Sequence, residues 1–567
     1  MAAVIAVATL VPWGRAVYAS WGFTALWGVV AVLGLVHTLR RKLWRRPMLF
    51  GLHLSLLVIL LGALLTRLTA HKGMLHLRQG IPASVYETEA GDRLPLPVLM
   101  RLDTFQIVYY PGTEAPQNYV SRLTAGGQVY TVSMNRIARL EGYRFYQSGY
   151  DEDGLGTLLS VNYDPWGTPL TYLGYGLFLL SYLGTLWAPK RKRLRVLLPL
   201  FLLAAGPAQA ANLPAITREK ADSLERQPVM WNHRPCPAGT MARDFLKKVY
   251  GRATYQGLTA MQVLASWTLA PQAWNAQPLI RVKGGGHKCM NDFIDYSGPT
   301  PRLRGMGEDA ATDERVALVL MLQQGTLGAL LPPEVSPPSE RRITLELFYN
   351  RVPWTVGGIV LCAVAALAGL LRRRGLNVLL RGALLLFLAA HFALRWYLGG
   401  HIPLANTYDT LHLIALGLVP VLPVGSASAL MVAWLIERNP QITPLMPVLH
   451  SPWLSAHVTT IMLAYTLLVV SFFRRQVLRH AVSLLAIGIF LGAVWANVSW
   501  GAYWSWDPKE AWALITLIVY SLPLHTESLP WFRSDRNYRI YSLLALATLL
   551  MTYLGVNYLL GGMHSYG

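Results

Sequence analysis

The sequence predicts a polytopic all-α membrane protein of about thirteen transmembrane helices, carrying a β-rich extracytoplasmic domain and a second, mixed extracytoplasmic domain. Three observations lead there. Of the 567 residues, 53% are hydrophobic and only 14% charged, against about 25% charged in soluble domains. Apolar runs close to the ~20 residues a helix needs to cross hydrocarbon recur along the chain. The formal charge of +21 is gathered in short basic loops between those runs, the positive-inside pattern.

Taken in order, the apolar runs fall at 1–12 (short), 18–38, 48–66, 171–188, 196–210, 355–371, 377–396, 409–437, 457–473, 480–498, 511–527 and 540–559. The run 409–437 is read as a hairpin turning near PVLPVGS (420–426), because an even number of crossings must join basic loops at 371–375 and 472–480. The basic loops then place 67–170, 211–354, 397–408, 438–456, 499–510 and the C-terminus outside. Anionic lipid head groups, not nucleic acid, are the expected partners of the basic charge. The opening MAAVIAVATLVPWG lacks a basic leader and a cleavage site and is not read as a signal peptide.

Residues 67–170 hold alternating stretches such as GQVYTVSMNRI and TLLSVNYDP, which predict the β-rich outer domain. Residues 211–354 mix helix-like segments such as TMARDFLKKVYG with Pro- and Gly-rich loops. The small-residue stretch GPAQAA (206–211) after an apolar run reads either as the seam between two once-separate proteins or as a plain loop. Three domains follow: 1–195, a membrane part with the outer domain 67–170; 196–354, a linking span and the mixed domain; and 355–567, a second membrane domain containing the segment 500–512.

That segment reads WGAYWSWDPKEAW. Trp500, Trp504 and Trp506 cannot share one helical face, and Pro508 disfavours helix at Asp507. Asp507-Pro508 suits an N-cap followed by a first helical position, with Glu510 in the first turn. The segment is therefore an irregular aromatic stretch followed by a capped helix. Backbone of that kind is tolerated at membrane depth only where protein buries it or it lines a cavity. Planar rings gathered in one loop suit a large flat ligand.

The fourteen histidines sort by depth. His457 opens a span and His564 nearly closes the chain, both on the outer side with the tryptophans. His53 and His525 lie towards the inner side. Neutral imidazole is a standard ligand for metals and haem iron, and a bis-histidine haem site needs two rings facing across a porphyrin. His37, His71, His76, His391, His401, His412, His450 and His480 read as interfacial residues or caps. Arg395 and Lys509 are candidate partners for porphyrin carboxylates. His233 and Cys236 (HRPC) with His287 and Cys289 (HKC) leave zinc, a disulfide and no connection all open. There is no CxxCH, hence no covalently attached haem of the chain's own, and no P-loop.

The run GAVWANVSWGAYWSWDPKEAWALITLIVY (492–520) resembles the WWD signature of the haem-handling family that includes CcsA and ResC. GGHIPLANTYDTLHL (399–413), NPQITPLMPVLHSPWLSAHV (439–458) and GVNYLLGGMHSYG (555–567) resemble its other segments, in the family's order. The front of the chain, 1–190, is more loosely similar to the partner protein CcsB or ResB, through VYASWGF and FGLHLSLLVILLGALLT. Together they resemble a fused System II cytochrome c synthase.

That resemblance implies a cytochrome c haem lyase in the bacterial inner membrane, with its large domains and C-terminus outside. Haem b with reduced iron would be moved outward as substrate, and its vinyl groups joined to the Cys thiols of an apocytochrome c CxxCH. Thiol-reducing proteins outside the cytoplasm would be further partners. His457 and His564 match the outer iron ligands and His525 an inner one. The other inner ligand is matched by His53, with His37 as alternative. Trp500, Trp504, Trp506 and Asp507 match the haem-binding core of the signature. One departure stands out: the family's basic residue after the inner histidine is absent, and the chain reads HTES there. Other activities consistent with these residues are a haem exporter without ligase activity and a bis-histidine electron-transfer cytochrome.

Overall fold

The computed structural model describes residues 1–186, 214–295, 302–305, 307, 309–328 and 330–560. His564, the run 196–210 and the stretch 206–211 lie outside the described residues.

Among the described residues, six helices are long and apolar enough to cross a membrane. They are Trp21–Arg40, Pro47–Thr69, Arg374–Gly399, Pro452–Phe473, Arg475–Ser499 and Asp535–Leu559. A seventh span results if Glu340–Arg351 and Trp354–Leu370, which meet at 54°, count as one. This corrects the expectation of about thirteen. Apolar composition does not reveal where a helix stops. The first run folds as the nine-residue helix Ala2–Leu10, roughly 14 Å at ~1.5 Å per residue, less than half a bilayer core. The run 409–437 does turn near 420–426, with Pro423 opening the second piece, but its parts Thr407–Leu418 and Pro423–Ile436 have only 12 and 14 residues and are not among the spans. The run 511–527 shortens to Pro508–Ser521.

The run 171–188 becomes Gly167–Leu186, long enough but interrupted by polar and small residues. Those residues form its packing face. Gly51, Gly62 and Gly174 let this helix close on Pro47–Thr69, and a Cβ at Gly51 or Gly62 would overlap Ser181 or Thr171. Small residues serve this purpose at membrane helix contacts.

Between these two helices the chain builds an eight-stranded antiparallel sheet. Its strands are β1 (His71–Arg78), β2 (Pro82–Thr88), β3 (Arg93–Tyr109), β4 (Pro116–Ala125), β5 (Gln128–Ser133), β6 (Ala138–Leu140), β7 (Tyr143–Tyr150) and β8 (Gly156–Tyr163). They lie in the order β5-β4-β3-β2-β1-β8-β7-β6. The β1–β8 pairing, His71 opposite Tyr163, brings the entering and leaving helices side by side. Alternate residues point inward, the period-two rule of strands: Leu75, Leu77, Leu102, Leu123, Val132, Phe145, Leu159 and Val161 make the core.

Residues 214–351 form helices and short two-stranded sheets around Phe245, Trp267, Trp274, Met290 and Val316. The buried guanidinium of Arg234 pairs with Glu346 at 2.6 Å, and its Nε donates to the Ile442 carbonyl at 2.8 Å. Nearby, Trp231 Nε1 donates to Asp244 at 3.2 Å. Burial pushes the Asp244 carboxyl up to about 6. Cys236, Cys289 and Cys362 are free thiols, so the disulfide reading of Cys236 and Cys289 does not hold. Burial pushes the Cys236 thiol up to about 12.

Candidate functional site

The tryptophan segment follows the helix Leu478–Ser499. Gly501 turns the chain at φ +83°, a conformation suited to glycine. Its position is enforced by tight approach to Tyr146 of the sheet, whose ring a Cβ would overlap, and its carbonyl accepts from Asn162 Nδ2. The backbone then runs without regular structure to Asp507. Asp507 caps Pro508–Ser521, its Oδ1 accepting from the Lys509 amide at 2.9 Å. Glu510 completes the capping box and also accepts from the Ser505 amide at 2.8 Å. An acid at a helix N-terminus satisfies otherwise orphaned amides.

The tryptophans are not one surface. Trp504 and Trp495 line a cleft together with His457, Tyr503, Lys509, Tyr465 and Tyr553. Trp506, at φ +57°, stacks on Tyr18 with centroids 4.6 Å apart and meets Phe23 edge-on at 5.0 Å. Trp500 packs edge-on against Trp495 at 4.8 Å. Of the three signature tryptophans, Trp504 lines the cleft, whereas Trp500 and Trp506 brace the segment against its neighbours. The cleft volume is about 260 Å³, just below the ~300 Å³ at which ligand sites usually begin.

His457 forms part of the wall of this cleft. Its Nδ1 lies 2.7 Å from the Gly488 carbonyl. A carbonyl only accepts, so the proton sits on Nδ1 and Nε2 carries the lone pair, the arrangement that prepares an imidazole for a metal. Glycines create the room: a Cβ at Gly492 would come 2.6 Å from the ring. Sequence reasoning missed Trp495, Tyr553 and Asn406 as cleft residues. The GIFLG repeat at 488–492, a small-xxx-small pattern, was the available signal for the close His457 helix and for the wall that includes Trp495. His564 lies outside the described residues, but Tyr553, Asn557 and Tyr558, shortly before it, line the same cleft.

The inner histidines meet. His53 and His525 have ring centroids 6.1 Å apart at 88°. Their Nδ1 atoms lie 2.9 Å from the Leu49 carbonyl and 3.0 Å from the Ser521 carbonyl, which selects the same tautomer as at His457. His37, the alternative, joins them. Where a basic residue is expected after His525 the chain carries Glu527, and Arg41 and Arg46 of the basic turn approach it at 3.7 and 3.8 Å. Positive charge is thus supplied from another part of the chain. Among the described residues no group of three His, Cys, Asp or Glu side chains is arranged to hold a metal ion. That includes His233, Cys236, His287 and Cys289.

Arg395 lies elsewhere. It is ion-paired with Asp409 at 2.7 Å, both side chains at most 4% exposed, and it donates to Tyr349 and to the Pro440 and Gln441 carbonyls. Beside it, His391 and His412 sit with centroids 4.4 Å apart in a network with Tyr349, Tyr408 and Thr355. These two histidines are buried, not interfacial.

The first membrane part is tied to the tryptophan segment and to the end of the helix before it. Arg144 donates to Asn497 at 3.1 Å, Asn135 is bonded to Ser499 at 2.7 Å, and Tyr503 donates to Thr66 at 2.8 Å. The first membrane part thus braces the tryptophan segment, while the cleft wall is built from residues between 404 and 558.

Comparison with known proteins agrees with this division. Residues 472–564 match the family model described as cytochrome C assembly protein, and residues 40–168 match the ResB-like family. Protein NrfI of Wolinella succinogenes is 29% identical over 83% of this chain and 71% of its own length. The cytochrome c biogenesis protein CcsA of Prochlorococcus marinus (strain MIT 9303) is 32% identical over 32% of this chain and 81% of its own. CcsA of Chlamydomonas reinhardtii is 30% identical over 36% and 72%. This chain belongs to the ResB/CcsA family of haem-handling membrane proteins of cytochrome c biogenesis, with the ResB-like and CcsA-like parts joined in one polypeptide.

Proposed function

We infer that the chain is a cytochrome c haem lyase of the bacterial inner membrane, which takes haem b from the cytoplasmic side and attaches it outside to an apocytochrome c CxxCH. The observation that carries this reading is the pairing of His457, with its Nδ1 proton fixed by Gly488 at 2.7 Å, with the aromatic cleft of Trp504 and Trp495. His457 Nε2 is one axial ligand of the outer haem. His564, a few residues beyond Tyr558, is the other. Trp504 packs the porphyrin, Trp500 and Trp506 hold the loop, and Asp507 keeps Lys509 at the cleft wall, where its ammonium meets a haem carboxylate.

The chemistry needs little from the protein beyond position. Each thiol S–H bond breaks, a C–S bond forms at the inner carbon of a vinyl group, and the proton ends on the outer vinyl carbon. No net oxidation occurs. Holding the reacting atoms in line supplies much of the rate in such steps. The His of the incoming CxxCH displaces one axial ligand. The inner site, with His53 and His525, receives haem first. Glu527, Arg41 and Arg46 lie beside it, and the two arginines offer cations to the carboxylates.

A haem exporter without ligase activity would use the same residues. Co-expression with an apocytochrome c in a host lacking its own assembly proteins separates the two. A denaturing gel stained for haem shows a covalent product for a lyase; haem released without such product rejects the lyase reading.

A further inference from the structure

The segment that leads into the His457 helix has little regular structure between Glu437 and Pro452, apart from the short turn Pro447–Leu449. Side chains from elsewhere hold its carbonyls. Early in the segment the donors are buried arginines: Arg395 to Gln441 at 3.0 Å and Arg234 to Ile442 at 2.8 Å. Nearer the helix they come from the β-rich domain. Tyr110, just after β3, donates to the Leu445 carbonyl at 2.8 Å. A hydroxyl has one proton to give, so His450 Nε2, 2.6 Å away, donates to Tyr110. Asn135 Nδ2 lies 3.3, 3.2 and 3.1 Å from the Pro447, Val448 and His450 carbonyls.

Asn135 reaches a second element as well. Its Oδ1 accepts from the buried Ser499 hydroxyl at 2.7 Å. Chemistry fixes the direction of the amide: carbonyls only accept, so its two N–H groups face them and are shared among three oxygens. The residue sits in the turn between β5 and β6, closed by reciprocal backbone bonds of Ser133 and Arg136 at 2.9 and 3.0 Å. Its φ of +60° is a left-handed conformation in which asparagine is enriched. Both elements that it joins belong to the cleft. Leu449, within the held turn, and Leu454, in the His457 helix, line the wall. Ser499 ends the helix that carries Gly488 and Gly492, and the segment leading to Trp504 starts at the next residue.

We propose that Asn135 is a positioning residue of the outer site: one amide of the β-rich domain holds the Leu449 turn and the start of the tryptophan segment at a fixed spacing. The inference rests on the reading of this cleft as the outer haem site. Asn135 does not line the cleft and ligates nothing, so its removal leaves the iron's ligands in place. What changes is how long the cleft retains haem.

The test uses the full-length chain purified with the haem it carries from the host. Haem release to excess apomyoglobin is timed in wild type, Asn135→Gly, Asn135→Asp, Ser499→Ala, Asn135→Gly/Ser499→Ala and His457→Gln, the outer haem being the phase that His457→Gln removes. Glycine adopts the same turn without the amide. Aspartate keeps the shape and the acceptor for Ser499 but sets an oxygen against the three carbonyls. Size-exclusion chromatography in detergent checks folding, and resonance Raman checks ligation. Both Asn135 variants release outer haem about tenfold faster, the effect of losing one or two hydrogen bonds, with the low-spin spectrum unchanged before mixing. Ser499→Ala also speeds release, and the double variant is no faster than Asn135→Gly. Wild-type release in Asn135→Asp, or effects of Asn135→Gly and Ser499→Ala that multiply in the double, overturns the role of Asn135 and leaves the outer site standing. A His457→Gln variant with wild-type haem content and release removes the outer site itself, and the inference with it.

Discussion

The Nδ1 of His457 lies 2.7 Å from the carbonyl oxygen of Gly488. A backbone acceptor at this distance sets the tautomer of the imidazole and its direction into the cleft. The same device recurs at His53 with Leu49 and at His525 with Ser521. His457 and His53, which lie in helices, and His525, which follows one, thus share the same backbone anchoring of Nδ1.

If room for the His457 ring is what Gly492 provides, Gly492→Ala displaces that ring without removing it. A Cβ there meets ring atoms at 2.6 Å. Haem bound at the outer site, measured by the Soret band of the purified protein, falls by about 10-fold or more, in the range expected when a ligand's support is disturbed. Thermal stability changes by much less than for a core truncation.

Trp504 and Trp506 should part company. Trp504→Ala removes a ring from the cleft wall and lowers haem content. Trp506→Ala removes a half-buried ring stacked on Tyr18 and set edge-on to Phe23, and it lowers stability by less than the ~3–5 kcal/mol of a fully buried aromatic truncation. Haem stoichiometry and thermal unfolding, measured on both variants, separate the two effects.

How much of this was readable from the chain follows from which physical rule each feature obeys. The sheet was legible because its strands alternate with period two, as Leu75 and Leu77 do in β1. The cap at Asp507 was legible because an Asp-Pro pair has few other uses. The turn after Leu418 was legible through the prolines of PVLPVGS (420–426), but the number of spans was not, since the shortness of the two pieces it separates and the early stop at Ser521 depend on local packing that hydrophobicity does not record. The tryptophans misled for a related reason: a cluster in sequence became three environments once Gly501 and Trp506 turned the backbone. His37 and His53 flank the basic turn at 41–46, and two apolar helices joined by so short a turn bring such flanking residues to the same membrane face. The buried pairing of His391 with His412 had no comparable signal, because nothing in the sequence shows that those two helices cross there.

The Arg395–Asp409 pair gives a third prediction. Asp409→Asn leaves a guanidinium buried without its counter-charge, which costs about 3–5 kcal/mol. Replacing both residues together, Arg395→Met with Asp409→Leu, costs less than the single change. Thermal or chemical unfolding of the two variants checks their order.

Asp244 makes the extramembrane region pH-sensitive. Its folded pKa of about 6 exceeds the unfolded value of 3.8. The neutral acid is therefore favoured in the folded protein. The stabilisation is complete below pH 3.8, and it is lost as pH rises through about 6, by up to about 3 kcal/mol. Asp244→Asn should flatten that pH dependence between about 4 and 6 and raise stability at neutral pH. Limited proteolysis of the 214–351 region across this pH window measures it.

The most direct measurement of the central claim is the axial ligation of the outer haem in His457→Gly, read by resonance Raman and by covalent transfer to a CxxCH apocytochrome, with and without added imidazole. The account predicts that the low-spin signature and the product both fall at least tenfold and that imidazole restores a large part of each. Undiminished low-spin haem and undiminished product in His457→Gly without imidazole would contradict it.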